Sequence, residues 1–270
     1  MQVFAKPPQL IINSADQFII CQNAYEAYNW LTPKVLDKSD GFVLYDPTGY
    51  LHRRYSRLFK RSGYAVKTYD TGDLSGCSRY NPFAYVRNNR DIPKLAVAFI
   101  GGTECYGYPD EINFRSAEIA LLTSLFSCVA NEASEEERNI YTVIEMLKYM
   151  SDTGIKHYDS DYERKHAIDF VFEEFAETDP HCFYLQQYEF FKEIAGHYEN
   201  DVVDSCIWRL KPFDTDIAKD SFAKDELEFD LLGSDQKTAI FVSPGISGEF
   251  SFLIPLLYTQ LLDTLCNKSV

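Results

Sequence analysis

The sequence predicts an α/β fold interrupted by a long helical block, and three observations carry that reading. Short apolar runs alternate with a helix-period segment through the first hundred residues. Residues 110–209 then turn almost wholly helical in spacing, with few glycines or prolines. After Pro212-Phe213-Asp214 the alternation of strand, turn and helix returns. The segments divide the chain into an α/β part at 1–107, an inserted all-helical domain at 108–214, and a return to the α/β part at 215–270.

Phe18, Ile19 and Ile20 form the first apolar run, a short buried strand, and residues 25–36 read as the helix that follows. The positions joining them are Cys21, Gln22, Asn23, Ala24, Tyr25, Glu26, Ala27 and Tyr28. That segment holds no glycine, lysine, serine or threonine. A phosphate cradle needs glycines so that successive amides can face the anion, a lysine for the β/γ-phosphates and a hydroxyl for Mg²⁺. No Gly-Lys-Ser/Thr stands anywhere in the chain.

Residues 41–45 are a compact apolar strand closed by Asp46-Pro47-Thr48-Gly49, a strong turn signal. A helix over 50–61 follows, with Leu51, Tyr55, Leu58 and Phe59 on one stripe and Gly63 as its stop. Residues 64–69 are the next strand, and strand–helix–strand at this spacing predicts parallel pairing. The apolar run 95–100 leads into Gly101-Gly102, which reads as a turn or helix end.

In the helical block, Ala117, Leu121, Leu122, Leu125 and Cys128 recur at helical spacing, as do Ile140, Val143, Ile144 and Leu147. Ile168, Val171, Phe172 and Phe175 define another stripe. Ser134 and Glu137 have capping-box spacing, and Asp179-Pro180 reads as the start of a long helix running through Phe191 toward Gly196. Residues 238–242 then form a strand, Ser243-Pro244-Gly245 a turn, and 250–265 a helix.

With 270 residues and 46% hydrophobic content, the chain can bury a substantial core. A formal charge of −15 argues against generic binding to polyanions. Seven cysteines, widely spaced and without a C-x-x-C pair, fit reduced thiols rather than a disulfide framework or a zinc site. Cytoplasmic localisation is the expectation, with no cofactor, no metal and no direct membrane insertion.

The order of Asp46-Pro47-Thr48-Gly49, Tyr64-Ala65-Val66-Lys67 and Tyr80-Asn81-Pro82-Phe83-Ala84-Tyr85 resembles the TraG-like coupling proteins of type IV secretion and conjugation. Similar pieces continue through residues 139–147, 187–192, 209–214, 238–242 and 256–265. The resemblance implies a partial RecA-like P-loop NTPase fold, a mostly parallel sheet flanked by helices with an inserted all-helical subdomain. It also implies membrane-anchored, usually hexameric ATPases whose helical domain engages DNA-processing partners. By the same resemblance the phosphate loop falls at Cys21 to Tyr28, with Ala27 at the lysine position and Tyr28 at the hydroxyl position. The Walker B acid would lie past Val270, and the membrane anchor upstream.

The expected function is therefore a non-catalytic relative, a pseudo-ATPase acting as an interaction or regulatory module. The alternatives are one part of a split coupling ATPase completed by a partner chain, or a mobile-element remnant. Expected partners are a coupling protein, a relaxase-type protein or a second copy; the reading leaves DNA open. Asp46 and Gly49 are candidates for a vestigial site at a strand's carboxyl end, or simply for an Asp-Pro turn. Arg53, Arg54, Arg57, Lys60 and Arg61 make a basic face opposite the apolar stripe, either a docking site or a solvated helix face. His157, His166 and His197 show no metal-ligand spacing, and His181-Cys182 are a helix-start histidine and a buried thiol.

Overall fold

A computed structural model describes residues 9–11, 17–21, 23–37, 41–103, 112–151, 167–232, 237–245 and 248–267. Gln22, Cys105, His157 and His166 lie outside the described residues, as do the side chains of Ala24 and Tyr28. The chain divides into two compact units, one of Met1–Ser78 with Glu226–Val270, the other of Arg79–Asp225.

The first unit opens with β1 (Gln9–Ile11), β2 (Gln17–Ile19), α1 (Ala24–Asp37), β3 (Phe42–Tyr45), α2 (Tyr50–Arg61) and β4 (Ala65–Asp70). The second contains α3 (Asp91–Gly102), α4 (Ile112–Glu132), α5 (Ile140–Ser151), α6 (Ala167–Thr178), α7 (Phe183–Ala195), α8 (Glu199–Leu210) and α9 (Asp216–Ala223). The first unit then resumes with β5 (Thr238–Ser243) and α10 (Leu253–Asn267).

In the first unit the three-stranded sheet has the order β3-β5-β4, with both pairs parallel. The strand–helix–strand reading holds in sense but not in adjacency, because β5 pairs between β3 and β4. Burial on both faces fits β5's composition, Thr238-Ala239-Ile240-Phe241-Val242, all five buried. α2 lays Leu51, Tyr55 and Phe59 on this sheet, where they meet Phe42, Tyr64, Phe241 and Leu31 of α1. Tyr55 shares a 2.6 Å hydroxyl hydrogen bond with Thr32 of α1.

The stop of α2 is written locally. Gly63 takes φ +85°, its N–H reaching the Lys60 carbonyl at 3.1 Å while the Tyr64 N–H reaches Phe59 at 3.0 Å. That pair of bonds, with the Phe59 and Tyr64 rings 4.9 Å apart, is a Schellman stop with its hydrophobic contact.

The first apolar run behaves differently from expectation. β2 pairs antiparallel with β1, Leu10 opposite Phe18, in a separate two-stranded sheet, and Ile20 is 57% exposed. Three apolar residues suffice for a strand but do not choose its partner.

Among the described residues of the second unit the regular elements are helices. α4 is its centre, buried continuously over residues 120–129 rather than along one stripe. Rings run through this core: Phe83 and Phe99 each lie 5.5 Å from Phe126, Phe99 lies 5.2 Å from Phe213, and Phe213 lies 5.0 Å from Phe222.

Two helix starts correct the sequence reading. Ser134 and Glu137 bond one another in a turn, side chain to side chain at 2.8 Å, ahead of α5. The cap of α5 is Asn139, whose Oδ1 accepts from the amides of Tyr141 at 2.9 Å and Thr142 at 3.3 Å. Likewise α7 begins at Phe183, not at Pro180, because the Asp179 carboxylate takes the His181 amide at 3.1 Å and makes a turn there. Gly196, at φ +51°, separates α7 from α8 as expected.

Candidate functional site

Because β3, β4 and β5 are parallel, their carboxyl ends share one edge, the place where open α/β sheets bind ligands. Asp46 stands at the end of β3, its amide bonded to the Val242 carbonyl at 2.8 Å. Its side chain is 2% exposed, and Oδ2 accepts the His52 amide at 2.8 Å. This carboxylate caps α2, whose own cap position is Gly49 at φ +65°, a residue without a side chain to do so. Arg53 closes the turn by donating from Nη2 to the Thr48 carbonyl at 2.9 Å. Asp46 and Gly49 are thus brought together as one helix-starting turn.

The loops after β4 and β5 lock together at the same edge. Thr71 Oγ1 donates to the Pro244 carbonyl at 2.7 Å, and the Thr71 amide to the Ser243 carbonyl at 3.1 Å. Gly245, at φ +62°, approaches so closely that a Cβ there would lie 2.2 Å from Cα of Gly72. Asp70 Oδ1 accepts the Gly72 amide at 2.8 Å. Asp73 accepts from the Ser75 hydroxyl and from its amide at 3.0 Å, which holds its carboxyl below the usual range. Sequence reasoning caught Ser243-Pro244-Gly245 as a turn but missed Asp70, Thr71 and Gly72. Their only signal was their place just after a strand.

In the turn where the resemblance expects a phosphate loop, Asn23 Oδ1 accepts the Glu26 amide at 2.9 Å and its carbonyl accepts the Ala27 amide at 3.2 Å. One amide that would face an anion is already engaged by a side chain. Glu26 adds negative charge to the same turn; burial and that charge together push the Cys21 thiol up. The strand entering this turn belongs to the β1–β2 pair, outside the parallel sheet. The Asn23 cap thus takes up one of the donors an anion would use, and Glu26 places a like charge beside it.

The α2 face presents Arg53, Arg54, Arg57, Lys60 and Arg61, all exposed and opposite the buried stripe. Among the described residues no group of three or more His, Cys, Asp or Glu side chains is arranged to hold a metal ion. Burial pushes the Cys128 thiol up to about 12.

In the second unit the quoted motifs hold the scaffold. Asn81 Oδ1 caps the short turn Pro82–Tyr85 through the Phe83 amide at 3.0 Å, while its Nδ2 donates to the Arg138 carbonyl at 2.8 Å. The Tyr85 hydroxyl donates to Asp225. Arg209 forks onto the buried Glu118, Nε to Oε1 at 2.7 Å and Nη2 to Oε2 at 3.1 Å.

Residues 23–248 match the family described as Type IV secretory system Conjugative DNA transfer, a span that includes the whole helical unit and the three parallel strands. The chain belongs to that family. No curated protein matches it. The DNA-transfer family match begins at Asn23, inside the turn that lacks the phosphate-binding residues. Among the described residues, no helix is long and apolar enough to cross a membrane.

Proposed function

We propose that this member of the conjugative DNA-transfer family works by binding partners and does not hydrolyse ATP. The observation that carries the reading is the turn into α1: no glycine, lysine or hydroxyl from Cys21 to Tyr28, an amide taken by Asn23, and Glu26 beside it. A triphosphate would find there neither the lysine nor the Mg²⁺-holding hydroxyl, and one amide already taken, the groups on which ground-state binding and transition-state stabilisation rest. Asp46 does not replace them, since its carboxylate is committed to the α2 amide.

On this reading the helical unit corresponds to the family's inserted all-helical domain. It engages a coupling protein or a relaxase-type protein, on the cytoplasmic side and peripheral to a membrane secretion complex. Isothermal titration with ATP and Mg²⁺ is the test. No heat of binding at millimolar nucleotide is expected; saturable micromolar binding overturns the reading.

A second reading has one observation in its favour. β3 is an edge strand of the described sheet, where a companion polypeptide could add a strand and complete a split ATPase. ATPase assays with and without a co-encoded partner separate the two: turnover only in the mixture selects the split enzyme.

A further inference from the structure

Two thiols of the helical unit belong to no role assigned above. Cys128 is buried on α4, and Cys182, partly exposed, is the residue just before α7. Cys182 keeps an extended backbone, φ −64° and ψ 150°, and its amide donates to the Asp179 carbonyl at 3.3 Å. It therefore ends the turn that starts at Asp179 and stands outside the helical run.

The register of α4 and α7 brings the two thiols together. Ser124, Cys128 and Glu132 stand on successive turns of α4, along one face. Tyr184 spans that stretch: its main-chain carbonyl accepts from the Ser124 hydroxyl at 2.8 Å, and its own hydroxyl donates to Glu132 at 3.1 Å. A helical side chain leans toward the amino end of its helix. Because Tyr184 leans toward Glu132, α7 runs antiparallel to α4 and starts beside the turn from Cys128 to Glu132. A hydroxyl on one helix that reaches a main-chain carbonyl of the other also holds the two backbones within about 8 Å there. Burial, the Cys182 thiol and the Glu132 carboxylate, which both hydrogen-bond the Tyr184 hydroxyl, raise the phenol well above its usual pKa. The rings of Phe172 and Phe175, 6.0 Å and 5.7 Å from that of Tyr184, make one wall of this corner.

We propose that Cys182 and Cys128 form an oxidisable dithiol, a site that takes a peroxide and closes a disulfide between α4 and the start of α7. The partly exposed thiol reacts first. Its sulfur attacks the peroxide O–O bond, takes one oxygen as a sulfenic acid, and releases water or an alcohol. The Cys128 sulfur then displaces that oxygen, the S–S bond forms, and the hydroxyl leaves with the Cys128 proton as water. Two electrons pass from the thiols to the peroxide, and a thiol reductant reverses the bond. Burial sets the division of labour, since it keeps Cys128 protonated and away from a dissolved oxidant until Cys182 has reacted. A disulfide needs its Cα atoms within about 7 Å, and Cys182, outside the helical run, is the partner that shifts to meet this. Of the other described thiols, Cys21, Cys77 and Cys266 belong to the other unit. Cys206 follows Ser205, which bonds Glu118 near the far end of α4. The proposal goes beyond the functional reading above and does not depend on it.

The experiment exposes the reduced full chain to hydrogen peroxide without denaturant, alkylates the remaining thiols, and maps the peptides by non-reducing mass spectrometry. Expected is a Cys128–Cys182 link as the dominant disulfide, absent after dithiothreitol. Cys128→Ser should stop at a sulfenic acid on Cys182 that dimedone traps, whereas Cys182→Ser should leave Cys128 unoxidised. Cys128→Ala repeats the test without a buried hydroxyl, and circular dichroism checks that each variant is folded. A Cys128–Cys182 link no more abundant than links to other cysteines overturns the proposal. So does a folded Cys128→Ser or Cys128→Ala chain whose Cys182 takes no dimedone, or a link that forms only after unfolding.

Discussion

Arg209 and Glu118 form a bidentate pair inside the helical unit, with Glu118 1% exposed. Ser205 donates to the same carboxylate, and Arg209 Nη1 donates to the carbonyls of Ile100 at 3.3 Å and of Thr103 at the carboxyl end of α3. One guanidinium therefore ties α8 to α4 and to the carbonyls α3 leaves unpaired. Arg209→Met should cost roughly 3–5 kcal/mol, because it strands a buried carboxylate. The double variant Arg209→Met/Glu118→Met should cost clearly less. Urea unfolding of both decides it; equal losses would mean the pair acts by packing alone.

Asp46 holds α2 by its carboxylate, so its removal should register as the loss of a helix cap. Asp46→Ala is expected to lower stability by about 1–2 kcal/mol, and Asp46→Asn by less, since an amide oxygen still accepts from His52. Thermal melts of the two variants provide the comparison. An Asp46→Ala protein as stable as wild type would remove the capping role.

Gly245 and Gly63 both have positive φ, but only Gly245 is crowded. Gly63→Ala should lose about 1 kcal/mol from backbone strain. Gly245→Ala should lose more than about 2 kcal/mol, since its new methyl would collide with the Gly72 backbone. Denaturant midpoints of the pair test whether the loop lock at the sheet edge is rigid.

Asp214 sits between Lys148 and Lys219, each 2.8 Å away, and their hydrogen bonds, Lys148's first, hold its carboxyl below the ordinary value of 3.8. Lys148 is pushed up to about 12, chiefly by the hydrogen bond it donates to Asp214. A depressed carboxylate stabilises the fold above its unfolded pKa, and the gain is lost as pH falls through the lower folded value. The raised Lys148 gives the opposite limb, present below its unfolded pKa and lost as pH rises through about 12. The stability difference between wild type and Asp214→Asn should therefore be flat near neutrality and shrink in acid below about 3.8. A difference that persists unchanged in strong acid would exclude the ion pairs as its source.

α2 was legible to the residue because its signals are local: turn, apolar stripe and glycine stop lie within residues 46–63. The place of β5 was not, since Thr71 and Ser243, which bond at the sheet edge, are 172 residues apart and nothing near either names the other. The helical unit begins at Arg79 rather than at 108, because α3 and the Asn81 turn pack with α4, and an apolar run such as 95–100 does not declare which core it joins. At the site, the lack of phosphate-binding residues was plain in the sequence. That Asn23 occupies an amide and Asp46 faces another needed coordinates, because side-chain direction at a helix start depends on the turn geometry.

The middle strand of the sheet is encoded after the entire helical unit. A ribosome therefore releases β3 and β4 long before the strand that joins them exists. The helices, built from near neighbours in sequence, can pack while synthesis continues, and the sheet closes only when β5 emerges. Translation halted inside the helical unit should leave β3 and β4 without their shared neighbour, open to proteolysis until the segment that carries β5 is read.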